Sequence, residues 1–104
     1  MKKYLVIARV GDNSLHSHWL KNATANFDLF LSYFGDKPKH FQEEANYYEQ
    51  VKGGKWPVVH KLIEANWDVI SQYDAVWIPD DDILADAKTI NNMFSLFEGF
   101  NLAL

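Results

Sequence analysis

The three consecutive carboxylates Asp80, Asp81 and Asp82 are the residues of this chain whose types and spacing best suit metal chemistry. Adjacent carboxylates repel one another, so a cation is expected to offset their charge. Mg²⁺ and Mn²⁺ commonly take one or two carboxylates from a protein and further oxygens from the phosphates of a substrate. On extended backbone, Asp80 and Asp82 point to one side and Asp81 to the other. The pattern therefore predicts a metal–phosphate site on an Asp-x-Asp element, with an acidic, helix-capping loop as the alternative.

The segment before the triplet has the composition of a buried strand. Residues 75–78 are continuously apolar and include Val76, Trp77 and Ile78, which favour strands. Pro79 cannot donate a hydrogen bond to a sheet, so the triplet is expected to emerge at the carboxyl end of the strand. Ligands of open α/β sheets bind at that end. The strand therefore favours the metal–phosphate interpretation.

Strand and helix patterns alternate along the chain. Apolar, β-favouring composition predicts strands at residues 4–8, 27–34, 47–51 and 75–78. Helical signals predict helices over residues 15–22, from Pro57 to Ile70, and after Asp86, where apolar residues recur at positions 90, 93, 94 and 97. Residues 101–104 have the composition of a further strand. The alternation predicts an α/β fold with three layers, in which a mostly parallel sheet has helices on both faces.

Length and composition indicate one domain and argue against several classes of function. With 104 residues and 48% hydrophobic content, residues 1–104 can bury one core. The net charge of −4 argues against a nucleic-acid partner, and no segment has the roughly eighteen apolar residues of a membrane span. The absence of cysteine excludes disulfides, thiolate catalysis and cysteine zinc sites. We therefore expect a cytoplasmic protein.

The sequence neighbours of each tryptophan indicate whether it belongs to the core or could contact a ligand. Trp67 and Trp77 have apolar, periodic neighbours and are predicted to be core residues. Trp56 follows the flexible pair Gly53 and Gly54, so it is the candidate for contact with a base or sugar.

Three segments of the chain resemble one known family. RVGDNSLH at positions 9–16, QVKGGKW at 50–56 and WIPDDDI at 77–83 resemble an uncharacterised family of domains that are similar to GT-A glycosyltransferases. The resemblance covers nearly the whole chain, and the combination of the three segments is more specific than the Asp-rich element alone. It implies the Rossmann-like, nucleotide-binding half of a GT-A fold, with a nucleotide-sugar donor bound through Mn²⁺ or Mg²⁺.

The resemblance also implies roles for particular residues. Asp82 would bind the metal at the diphosphate, and Asp80 would contact the ribose or the metal. Asp36, which follows the strand at residues 27–34, would lie near the base. The loop that contains Arg9, Gly11, Asp12 and Asn13 would lie beside the nucleotide. Each role has an alternative: Arg9 pairs with a carboxylate, Asp12 and Asn13 cap a helix, and Asp36 shapes a turn.

GT-A enzymes are more than twice as long as this chain, and the segment after their Asp-rich motif supplies the acceptor pocket. The expected function is therefore metal-dependent binding of a nucleotide-diphosphate sugar, as the donor-site half of a glycosyltransferase-like protein. The alternative is a truncated, non-catalytic module that binds a partner chain or forms a homo-oligomer. Phosphohydrolases with an Asp-x-Asp motif are a second enzyme class, but they carry Thr or Val where this chain has Leu84.

Overall fold

A parallel sheet forms the centre of the protein in a computed structural model, which describes residues 1–99. The strands are β1 (Tyr4–Val10), β2 (Phe27–Tyr33), β3 (Tyr47–Gln50) and β4 (Ala75–Trp77). Their order in the sheet is β3-β2-β1-β4, and every neighbouring pair is parallel. The predicted α/β class, the four strands and the parallel pairing are confirmed.

Three α-helices accompany the sheet: α1 (Lys55–Ala65), α2 (Trp67–Ile70) and α3 (Ala87–Gly99). The prediction of one helix from Pro57 to Ile70 is wrong, because Asn66 separates α1 from α2 with φ −120° and ψ 20°. The Asn66 side-chain amide and backbone N–H both donate to the Leu62 carbonyl, at 2.8 and 3.1 Å. Asn66 thus ends α1 by donating two hydrogen bonds to a carbonyl group of its last turn.

The predicted helix over residues 15–22 is shorter than expected. A 3₁₀ helix, His16–Leu20, occupies this position. Asn22 has a positive φ of 71°, a conformation that cannot continue a right-handed helix. The expected capping of the third helix is confirmed, because Asp86 Oδ1 accepts a hydrogen bond from the Thr89 N–H at 2.9 Å.

Alternate residues of β1 belong to two separate apolar clusters. One cluster contains Val6 and Val10 together with Trp19 of the 3₁₀ helix and Phe94 of α3. The other is formed by Leu5, Ile7, Phe30, Leu62, Ile70 and Tyr73. Trp77 packs against the first cluster, as predicted. Apolar side chains on both faces of β1 are therefore packed, and this fixes the position of its carboxyl end.

Trp67 was expected in the core, but it is 60% exposed. The non-helical residue Asn66 precedes it, so the apolar stripe of α1 does not continue in phase into α2. The strand predicted at residues 101–104 lies outside the described residues. In the range 1–99, no helix combines the length and apolar character needed to cross a membrane.

Candidate functional site

The candidate site lies where the path of the chain through the sheet reverses. From β1 the chain moves outward through β2 to β3, and α1 and α2 then return it to β4 on the other side of β1. The carboxyl ends of β1 and β4 are therefore neighbours. In open α/β sheets, ligands bind in the crevice at such a switch point.

A cleft of about 270 Å³ opens at this point. It is lined by Arg9, Phe34, Gly53, Lys55, Asp80 and Asp81. Arg9 and Lys55 are cationic, the two aspartates are anionic, and Phe34 supplies an exposed aromatic ring. The cleft thus combines the charged and apolar groups that a charged organic ligand requires.

The acidic triplet divides into residues with different surroundings. The carboxylate of Asp81 turns towards β1, where its Oδ2 accepts a hydrogen bond from the Gly11 N–H at 3.0 Å. The Asp81 carbonyl accepts a second bond from the Leu15 N–H at 2.8 Å. Asp81 therefore joins the loop after β4 to the loop after β1. No role of this kind was predicted for it.

Asp80 and Asp82 remain at the surface. The side chain of Asp80 is 69% exposed and forms an ion pair with the Lys55 ammonium group. Asp82 is exposed, and it does not line the cleft. The expected alternation assumed extended backbone, whereas Asp81 and Asp82 form a turn. Adjacent residues, Asp80 and Asp81, consequently face the same cleft.

Arg9 places a buried charge at the floor of the cleft. The residue is 5% exposed. Its guanidinium donates to Ser32 Oγ at 3.1 Å and to the Gly53 carbonyl at 2.8 Å. Within the described part of the chain, its Nε has no hydrogen-bond partner. Burial lowers the pKa of Arg9, and the nearby Glu49 carboxylate opposes that shift.

The loop after β1 is held in place by several polar contacts. A Cβ at Gly11 would lie 2.5 Å from the Phe34 ring, so a side chain there would require the ring to move. Asp12 Oδ1 accepts a hydrogen bond from the Tyr33 hydroxyl at 2.5 Å. The N–H of His16, the first residue of the 3₁₀ helix, donates to the Ser14 hydroxyl at 3.2 Å. The alternative role of Asp12 and Asn13 as helix caps is therefore wrong, and Asp12 instead fixes the loop to β2.

Two other predicted residues lie outside the lining of the cleft. Asp36 pairs with Lys52 at 2.7 Å, and Lys52 precedes the cleft residue Gly53. Trp56 is 62% exposed, with the Lys55 ammonium 4.6 Å from its ring centroid. The structure thus brings Arg9 and Asp80 to the cleft, and Gly11 is bonded to the lining residue Asp81. Trp56 is next to the lining residue Lys55, and Asp36 contacts the neighbour of Gly53.

A buried histidine lies in the segment after the loop that follows β1. His16 is fully buried, its Nδ1 is 2.7 Å from Ser14 Oγ, and its Nε2 is 3.0 Å from Glu44 Oε1. The Ser17 hydroxyl donates to the same carboxylate at 2.8 Å. Burial lowers the pKa of His16, while Glu44 opposes the shift. This network ties the 3₁₀ helix to the segment before β3.

Sequence reasoning missed Lys55, Phe34 and the structural role of Asp81. The predicted helix began at Pro57 and left Lys55 outside it, although Pro57 also suits the first turn of a helix that starts earlier. Phe34 was assigned to a strand. It is the first residue after β2, at the same edge of the sheet as the triplet.

A larger groove of about 520 Å³ lies beside β4. Most of its lining is apolar, including Ile63, Trp67, Val76 and Phe97. It lacks the paired cations and carboxylates of the cleft, so the cleft is the better candidate for ionic chemistry.

The two predicted metal ligands, Asp80 and Asp82, are both exposed. In residues 1–99, no group of three or more histidine, cysteine, aspartate and glutamate side chains is arranged to hold one. Comparisons of the chain with protein-family models, with curated proteins and with solved structures find no match.

Proposed function

We propose that the cleft at the carboxyl ends of β1 and β4 binds a nucleoside diphosphate sugar through Mg²⁺ or Mn²⁺. The domain would be the donor-site half of a three-layer, GT-A-like glycosyltransferase fold. The observation that supports this most strongly is the position of the cleft at the switch point of a parallel sheet, with an exposed carboxylate opposite two cationic side chains. Sugar transfer would further require an oriented acceptor and, for inversion, a base.

The oxygen donors beside the cleft suit a metal whose coordination a substrate completes. Asp80 lines the cleft, Asp82 follows two residues later, and both are exposed. Mg²⁺ and Mn²⁺ use one or two carboxylates of this kind together with phosphate oxygens and water. Since the described residues contain no ready-made set of three ligands, metal and nucleotide are expected to bind together. The bound ion would offset the charge of the diphosphate.

The remaining groups of the cleft suit the organic part of such a ligand. Phe34 and Trp56 are exposed aromatic residues at or beside the cleft, and a base or sugar can stack on such rings. Asp36 lies in the loop after β2, where a carboxylate can accept hydrogen bonds from a base. The loop of Asp12 and Asn13 adjoins the same edge of the sheet. The proposal therefore gives these residues the roles that the resemblance implies.

Calorimetric titration with uridine diphosphate tests the proposal. We expect saturable binding in Mn²⁺ and binding weaker by about tenfold or more after addition of a chelator. Replacement Asp82→Ala should weaken the metal-dependent binding by about tenfold or more, because a charged metal ligand is lost. Asp74→Ala is the matched control, since Asp74 is also exposed but lies at the amino end of β4. Equal affinities for uridine diphosphate with and without the chelator, or equal affinities of the two variants, would contradict the proposal.

A second candidate function, self-association, is favoured by the groove beside β4. Trp67 is 60% exposed in this groove, and among residues 1–99 β4 pairs only with β1. An unpaired edge beside apolar side chains is a common interface between copies of a chain. We expect Trp67→Glu to convert an associated form into monomers, with Trp56→Glu as the control. Light scattering that shows a monomeric wild type would contradict this candidate.

A further inference from the structure

The amino end of α1 lies at the cleft and has no side-chain cap. Gly54, which precedes the helix, offers no side-chain cap, and the first turn contains no acidic residue. Pro57 has no N–H, so the N–H groups of Lys55 and Trp56 are the donors at this end. The helix has 11 residues, and the N-terminus of a helix of that length favours an anion.

Arg9 gives a second, independent indication of an anionic ligand at the same place. Its guanidinium is bonded to the Gly53 carbonyl, directly before the start of α1. Arg9 is only 5% exposed, and its Nε has no partner in the described structure, although buried donors are normally satisfied. Arg9 therefore brings a buried positive charge to the cleft that Lys55, the first residue of α1, also lines.

Lys55 has a partner that a ligand can replace. Its ammonium group pairs with Asp80, whose side chain is 69% exposed, and ion pairs of exposed groups are weak. The same ammonium lies over the Trp56 ring, which keeps it beside the helix terminus. A phosphate would offer Lys55 a stronger, charge-assisted bond, and Asp80 would then be free to bind a cation.

We propose that Lys55, the N–H groups at the start of α1 and Arg9 form a phosphate-binding seat, and that phosphate displaces Asp80 from Lys55. The inference rests on the proposed function for the identity of its natural ligand, a nucleoside diphosphate. The seat itself needs neither the metal nor the nucleoside. This displacement would couple the binding of diphosphate to the binding of metal. Once phosphate pairs with Lys55, the carboxylate of Asp80 is released and can bind the ion.

Inorganic pyrophosphate in the presence of a chelator is the probe for the seat. We expect it to bind the wild type, and Lys55→Met to weaken this binding by about tenfold or more, since a hydrogen bond from a charged donor is lost. Lys52→Met is the matched control, because Lys52 carries the same charge three residues earlier but pairs with Asp36 outside the cleft. It should change the affinity by less than about threefold. No binding to the wild type, or equal losses in the two variants, would overturn the seat.

A titration with Mn²⁺ alone, followed by electron paramagnetic resonance, tests the exchange. Lys55→Met should bind Mn²⁺ several-fold more tightly than the wild type, since Asp80 no longer has a competing cation. Unchanged affinity would overturn the exchange. Failure of the proposed function would look different: pyrophosphate would still bind with chelator present, but Mn²⁺ would not promote binding of uridine diphosphate.

Discussion

Replacing Asp81 with alanine would separate the structural aspartate from its two neighbours. In the structure, Asp81 Oδ2 is the acceptor for the N–H of Gly11, which is buried at the end of β1. Alanine keeps the backbone bond from Leu15 to the Asp81 carbonyl and removes only the side-chain acceptor. The variant therefore tests one contact between the loops after β1 and β4.

The expected cost follows from the burial of the donor. A buried N–H without an acceptor costs about 1–3 kcal/mol. Asp81 is only half-buried, so water can partly replace its carboxylate, and we expect a loss of about 1.5–2 kcal/mol in the free energy of unfolding. In a domain of this size, such a loss lowers Tm by roughly 5–15 °C.

Urea unfolding followed by tryptophan fluorescence measures this loss. Asp81→Asn keeps a side-chain oxygen at the same position, so its loss should stay below about 1 kcal/mol. Asp82→Ala changes an exposed side chain and should stay within about 0.5 kcal/mol of the wild type. Equal stabilities of Asp81→Ala and Asp82→Ala would refute the division of the triplet into structural and ligand-binding aspartates.

Two further variants test the buried titratable groups. Burial and, second, a hydrogen bond to Asp28 raise the pKa of Tyr73 far above the usual value of about 10. The contribution of Tyr73 to stability is therefore present below pH 10 and is lost as the pH rises further. Urea unfolding of Tyr73→Phe should therefore show a smaller alkaline loss of stability than the wild type, and identical slopes would contradict this. Burial lowers the pKa of His16 despite Glu44, so its contribution is present above about pH 6.5 and is lost as the pH falls. His16→Gln should flatten the stability profile just below pH 6.5, and an unchanged profile would count against that assignment.

The strands and the edge that holds the site could be predicted because continuous apolar runs are strong signals. Residues 4–8, 27–34 and 75–78 are such runs, and the segment 47–51 was recognisable from its paired tyrosines. Pro79 placed the triplet at the carboxyl end of its strand. Parallel strands end at one edge, which explains why Asp80 and the loop after β1 are neighbours, but only the resemblance had placed both beside one ligand.

Predictions of local structure were wrong where the effect of one residue exceeded that of the periodic pattern. Asn66 interrupts a stripe of apolar residues that otherwise continues to Ile70, and this moves Trp67 to the surface. Periodicity cannot show such a break, because the asparagine side chain competes for backbone hydrogen bonds. Likewise, the alternation that should have separated Asp81 from Asp80 requires extended backbone, and the turn at Asp81 and Asp82 removes it.

The contacts between distant segments could not be read from spacing at all. The pair of Lys55 and Asp80 spans 25 positions, and the bond from Gly11 to Asp81 spans 70. Both depend on α1 and β4 being placed beside β1, which the order of the strands decides. The charge composition of the cleft is therefore a property of the folded sheet.

The most direct test of the account is a two-dimensional ¹H–¹⁵N spectrum recorded during titration with uridine diphosphate and Mg²⁺. The account predicts that the amide signals of Gly11, Gly53, Lys55 and Asp80 shift together and saturate, and that omission of Mg²⁺ weakens the effect. Shifts confined to the groove around Trp67, or no saturable shift with the metal present, would contradict a nucleotide site at the carboxyl edge of this sheet.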